Sequence, residues 1–197
     1  MGFNLKNKAL PWVMVAAVII GVSYGVSQCS IYAEKYTANQ LTGAFIALNA
    51  KYSYLDEHFG NVPHFYKALN QALIKENYSV LELLVLDEKV VVDDSVDDYA
   101  GLSFPTLPSY IHEHHTQYGA HVAITVGGYP VVEYAQNDDG YMVMTLAQVS
   151  QNTVEALEQI IDGVTLLENE NTKGHLHYRL TSMGFEVSLL SDIPYPL

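Results

Sequence analysis

Apolar positions fall into distinct regimes along the chain. From Ala9 to Ala33 no Asp, Glu, Lys or Arg occurs. The run ALPWVMVAAVIIGVSYGVSQ would span about 30 Å as a helix rising ~1.5 Å per residue, the thickness of a bilayer's hydrocarbon core. It predicts one transmembrane helix, residues 9–30, behind a short tail, residues 1–8. Past it, Ala38, Leu41, Phe45, Leu48, Tyr52, Leu55 and Phe59 recur in alternating steps of three and four, the spacing of one helix face. No Pro falls between residues 12 and 62, so a single helix from about Pro11 to His58 is expected, half in lipid and half amphipathic. Leu41, Phe45, Leu48, Tyr52 and Leu55 are its expected contacts with a globular head.

Gly60-Asn61 breaks this pattern, and Pro63 opens a second, short helix with Phe65, Leu69, Ala72 and Leu73 on one side. Val80 to Leu86 and Val90 to Val92 are β-rich apolar runs. Asp93, Asp94, Asp97, Asp98, Gly101, Pro105 and Pro108 then mark an irregular stretch of about 25 residues. Strands are expected at His121–Val126, Tyr129–Ala135 and Tyr141–Ala147, joined by turns at Gly127-Gly128 and Asp138-Asp139-Gly140. Asn152 with Glu155 suggests a capping box for a helix carrying Val154, Leu157, Ile160 and Ile161 inward, with Gly163 just past its end. Val164–Leu167, His175–Thr181 and Phe185–Leu190 complete the strands. Residues 31–197 therefore predict an α+β domain: a long N-terminal helix packed on an antiparallel sheet, with one or two short helices.

Charge adds orientation. Lys6 and Lys8 precede the apolar run and Glu34 is the first acid after it, so the tail is expected in the cytoplasm and the head outside. A cleaved signal peptide is the competing reading, although the run exceeds an ordinary h-region and lacks an A-x-A site. All 22 acids follow residue 30, with only seven Lys and Arg among them, and the chain carries a net charge of −13, a surface that repels phosphate and argues against nucleic-acid partners. The only thiol, Cys29, excludes a disulfide within the chain. Ala17, Gly21, Gly25 and Cys29 recur every fourth residue and line small side chains along one helix face, a seam where another helix can approach closely.

Candidate chemistry is sparse. His112-Glu113-His114-His115, with His121 nearby, holds metal-ligating residue types but no established zinc spacing, and a solvated His-rich loop is the simpler reading. His175 and His177 share one face of an expected strand, and two ligands make no closed site. Asp93, Ser95, Asp97 and Asp98 begin an EF-hand-like spacing, yet Asp98 stands where that loop needs Gly and Phe104 where it needs Glu. With no G-x-S-x-G elbow, phosphate-binding glycine loop or dinucleotide motif, the sequence points to no enzyme, no cofactor, no metal and no small-molecule substrate. Eight His on an acidic protein also suggest that mild acidification relieves repulsion between heads.

In layout the chain resembles the type IV pilins, most of all type IVb pilins and pilin-like minor subunits. The likeness is carried by the polar tail with Gly2-Phe3 and by the apolar segment that continues into ANQLTGAFIALNAKYSYLDEHFGN. The strand-then-helix stretch YMVMTLAQVSQNTVEALEQIIDG adds to it. It implies a single-pass protein of the bacterial inner membrane that assembles with copies or relatives through its N-terminal helix, with Ala17, Gly21 and Gly25 as packing positions. Asn7 stands where the family places a glutamate, no cysteine pair clasps the carboxy-terminal region, and a single Met precedes Gly2. A subunit without that carboxylate suits a tip or accessory place better than a repeating one. A bitopic envelope sensor or assembly factor, whose head binds a protein partner, is the alternative reading.

Overall fold

Residues 31–59 of helix α1 (Ala9–Phe59) supply the surface on which the rest of the domain is built. The computed structural model describes residues 9–69, 78–86, 105–115, 122–163 and 168–191, with side chains from Ile31 onward other than those of residues 67–69 and His115. Along residues 31–59 of α1, Ala38, Leu41, Ala44, Leu48 and Leu55 are fully buried and Phe45 nearly so, while Tyr52 and Phe59 are half-buried at the margin of the core. Each Leu or Phe side chain placed there contributes about 1.5–3 kcal/mol. Gly60, at φ +75°, ends the helix, and Asn61 Oδ1 accepts from the His64 N–H at 3.0 Å to start α2 (Val62–Leu69). Stacked rings of Phe59 and Phe65, 4.4 Å apart, hold that corner.

Residues 80–86, expected as a strand, form helix α3 (Val80–Leu86). The reversal has a local cause. Ser79 Oγ accepts from the Glu82 N–H at 3.2 Å, while Glu82 Oε2 accepts from the Ser79 N–H at 2.8 Å, a reciprocal capping box that a strand would not allow. Lys51 from α1, buried, donates from Nζ to the Leu84 carbonyl at 2.7 Å and meets one of the unpaired acceptors at the end of α3. Val90–Val92 and the acidic stretch Asp93–Asp98 lie outside the described residues, as do residues 164–167.

Seven strands make one antiparallel sheet: β1 (Ile111–His115), β2 (Val122–Val126), β3 (Tyr129–Gln136), β4 (Met142–Val149), β5 (Glu170–Asn171), β6 (Leu176–Thr181) and β7 (Gly184–Leu190), in the order β1-β2-β3-β4-β7-β6-β5. Helix α4 (Gln151–Ile161) follows β4 and packs on both α1 and the sheet. Alternate residues of the central strands, Met142, Met144 and Leu146 on β4 and Phe185, Val187 and Leu189 on β7, enter the core. The architecture is α+β, a helix on an antiparallel sheet, with three short helices among the described residues where one or two were expected.

Two further expectations are corrected. The His-rich segment is not a loop but the edge strand β1, where alternation exposes His112 and His114 and leaves Ile111 and Glu113 half-buried. The N-cap of α4 is Ser150, whose Oγ accepts from the Thr153 N–H at 3.3 Å, and Asn152 is an exposed residue of the first turn. The helix therefore starts earlier, and Ile160, expected inward, is 41% exposed.

The Gly127-Gly128 turn joins β2 to β3 with both residues at positive φ, +56° and +87°, as a two-residue hairpin requires. A Cβ at Gly127 would lie 3.3 Å from Thr37 Cγ2, so this hairpin tip rests directly on α1. Gly127→Ala is expected to destabilise the protein by about 1–2 kcal/mol, through left-handed backbone strain and that crowding, visible as a lowered urea midpoint.

Candidate functional site

The contact between α1 and α4 organises the site. Thr153, fully buried in the first turn of α4, donates from Oγ1 to Glu34 Oε2 of α1 at 2.5 Å, and it also bonds Tyr129 Oη at 3.0 Å. Farther along the same pair of helices an open cavity of about 450 Å³ remains. Phe45, Ile46 and Ala50 of α1, Ile160 and Ile161 of α4, and Leu189 of β7 form its apolar walls. Asn49, Thr42, His175 and Ser191 supply polar atoms at its boundary.

Each polar group is positioned by a separate element. Asn49 Oδ1 accepts from Tyr134 Oη of β3 at 2.8 Å. Thr42 Oγ1 donates to the Ala38 carbonyl one turn back, and Ser191 Oγ accepts from the Met142 N–H, both at 3.0 Å. The backbone of His175 is fixed by Asp162, whose Oδ1 and Oδ2 accept from the His175 and Leu176 N–H groups at 3.1 and 3.2 Å. Sequence reasoning placed His175 on a strand face with His177. The structure sets His175 just before β6, at the cavity, and leaves His177 half-buried opposite Ser188.

A second surface lies where the described side chains of α1 begin, with Ile31, Tyr32 and Tyr36 exposed. Ala17, Gly21, Gly25 and Cys29 belong to α1, and their side chains lie outside the described residues. Leu41, Phe45, Leu48, Tyr52 and Leu55 lie together where α1 meets the rest of the core. Asn49, Lys51, Glu82 and Glu158, all buried, were not anticipated; of these only Glu82 had a local signal, its place three residues after Ser79.

His114 Nε2 lies 3.1 Å from Thr125 Oγ1 across the β1–β2 pair. Among the described residues no group of three or more His, Cys, Asp or Glu side chains is arranged to hold a metal ion. His121 lies outside them. Among the described residues no helix is long and apolar enough to cross a membrane. The site and fold together define an α+β head in which helical residues 31–59 pack on a seven-stranded antiparallel sheet. No protein-family model matches the chain, and no curated protein or solved structure matches it.

Proposed function

We propose that the chain is a membrane-anchored structural subunit, pilin-like in plan, that assembles with copies or relatives through its N-terminal helix and displays an acidic α+β head outside the cytoplasmic membrane. The observation that carries this reading is the junction between anchor and head. Residues 31–41, which lead from the end of the charge-free apolar run into the head, are helical without a break and are fixed in the core through Ala38 and Leu41, with Phe45 one turn on. A helix joined this way passes its position in the bilayer directly to the head, as a flexible tether does not. Exposed Ile31, Tyr32 and Tyr36 extend apolar and aromatic surface along α1 toward the predicted span and suit contact with a neighbouring subunit or the lipid interface. The small residues Ala17, Gly21, Gly25 and Cys29 give the packing seam, and no catalysis is assigned.

The test is a full-length Gly21→Leu, Gly25→Leu double variant in native membranes. Cross-linked oligomers are expected to fall by about tenfold or more while the melting of the head is unchanged, because bulky side chains keep helix backbones apart. Undiminished oligomers would remove the seam from the proposal. The second reading, a bitopic sensor or assembly factor, is favoured by the open cavity beside α1, and it predicts partner binding that survives the double substitution.

A further inference from the structure

We infer that the cavity between α1 and α4 is a binding site for a neutral, mostly apolar small molecule that carries one carbonyl-type acceptor. This inference stands apart from the assembly reading and needs no contact between subunits.

Size and lining come first. About 450 Å³ falls within the range of small-molecule pockets, and the walls are aliphatic and aromatic. Ile46 and Ile160, both lining it, are 61% and 41% exposed. They face one cavity from two different helices, so a ligand there would remove apolar surface of both from water.

Asn49 fixes the polar end of the ligand. The residue is only 9% exposed and lines the cavity. Its Oδ1 is engaged by the Tyr134 hydroxyl, which orients the amide and leaves Nδ2, with two N–H groups, lacking a hydrogen-bond partner among the described residues. A carbonyl oxygen entering the cavity would give that amide an acceptor. The Thr42 hydroxyl does not compete for that acceptor, because it already donates to the Ala38 carbonyl.

Charge selects against ionic ligands. Among the described residues no Lys, Arg, Asp or Glu lines the cavity, and His175 is the only titratable one that does. A cation would find no carboxylate among the described lining residues, and an anion would meet the field of a chain with net charge −13. A neutral ketone, ester or amide on an apolar body meets both conditions.

A neutral long-chain alkyl ketone carrying a diazirine tests the site on the full-length protein, with cross-linked peptides located by mass spectrometry. Labelling is expected to saturate, to concentrate on residues 42–50, 160–161 and 189–191, and to fall about fivefold when the same probe carries methylene in place of the carbonyl. Ala50→Phe, which fills the cavity from an exposed helix position, and Ile160→Glu, which places a charge on its wall, are each expected to weaken labelling about tenfold or more with unchanged melting temperatures. Labelling of these peptides that persists in both folded variants overturns the site. Equal labelling by ketone and methylene probes overturns the role of Asn49.

Discussion

Glu82→Ala is expected to lower the free energy of unfolding by about 3–4 kcal/mol, and Glu82→Gln by roughly half as much. The carboxylate is 7% exposed and joins two distant parts of the chain. Its Oε2 accepts from the Ser79 N–H and hydroxyl, each at 2.8 Å, and its Oε1 accepts from the Val122 N–H at 3.1 Å. One side chain thus caps α3 and fixes the first residue of β2. Alanine leaves those donors unmatched where water enters poorly, and each unmatched buried donor costs about 1–3 kcal/mol. Glutamine keeps one acceptor oxygen but turns an N–H toward at least one donor. Ser79→Ala removes only the cap and should cost about 1 kcal/mol. Urea unfolding of the three variants at constant slope measures the differences. A loss below about 1 kcal/mol for Glu82→Ala would mean that β2 is held by its ladder alone.

That carboxylate also marks where sequence reading stops. The stripe from Ala38 to Leu55 was legible because α1 is buried on one side only, so its period survives in the pattern of residues. The Gly127-Gly128 hairpin was legible because two positive φ angles select Gly. In α3, Leu81, Glu82, Leu83 and Leu84 are all buried, so apolar residues stand on every side and no helical period remains. Only Ser79 and Glu82, three apart, distinguished helix from strand. On β1 the reverse holds: an edge strand tolerates His and Glu, and their polarity hid the alternation that pairing with β2 imposes. The cavity was less accessible still. Asn49 sits beside Leu48 in the helical pattern and looks like a solvent-facing residue, and its burial depends on Tyr134, a partner 85 residues away. The Lys51 bond to Leu84 is hidden for the same reason.

A stability contribution from Tyr178 is expected to disappear between about pH 10 and 12. Burial, and next the hydrogen bond to Glu158, push its hydroxyl up from 10.0 to about 12. In the folded protein Tyr178 Oη donates to Glu158 Oε1 at 2.6 Å, and Glu158 Oε2 is buried with no hydrogen-bond partner among the described residues. Because the folded state keeps a proton that the unfolded chain releases, the contribution is complete below the unfolded value of 10.0 and is lost as pH rises through about 12. Tyr178→Phe retains the ring beside Phe185, whose centroid is 5.8 Å away, but removes the donor. It should cost about 2 kcal/mol near neutral pH, since a buried carboxylate loses its partner. The gap between wild type and variant in urea unfolding should then close across the alkaline window. Parallel curves would mean that the hydroxyl titrates alike in both states. Glu158→Gln separates the two causes: the amide oxygen can still accept while the negative charge is gone, so a shift set first by burial should survive in large part, with its upper limit moved below that of wild type.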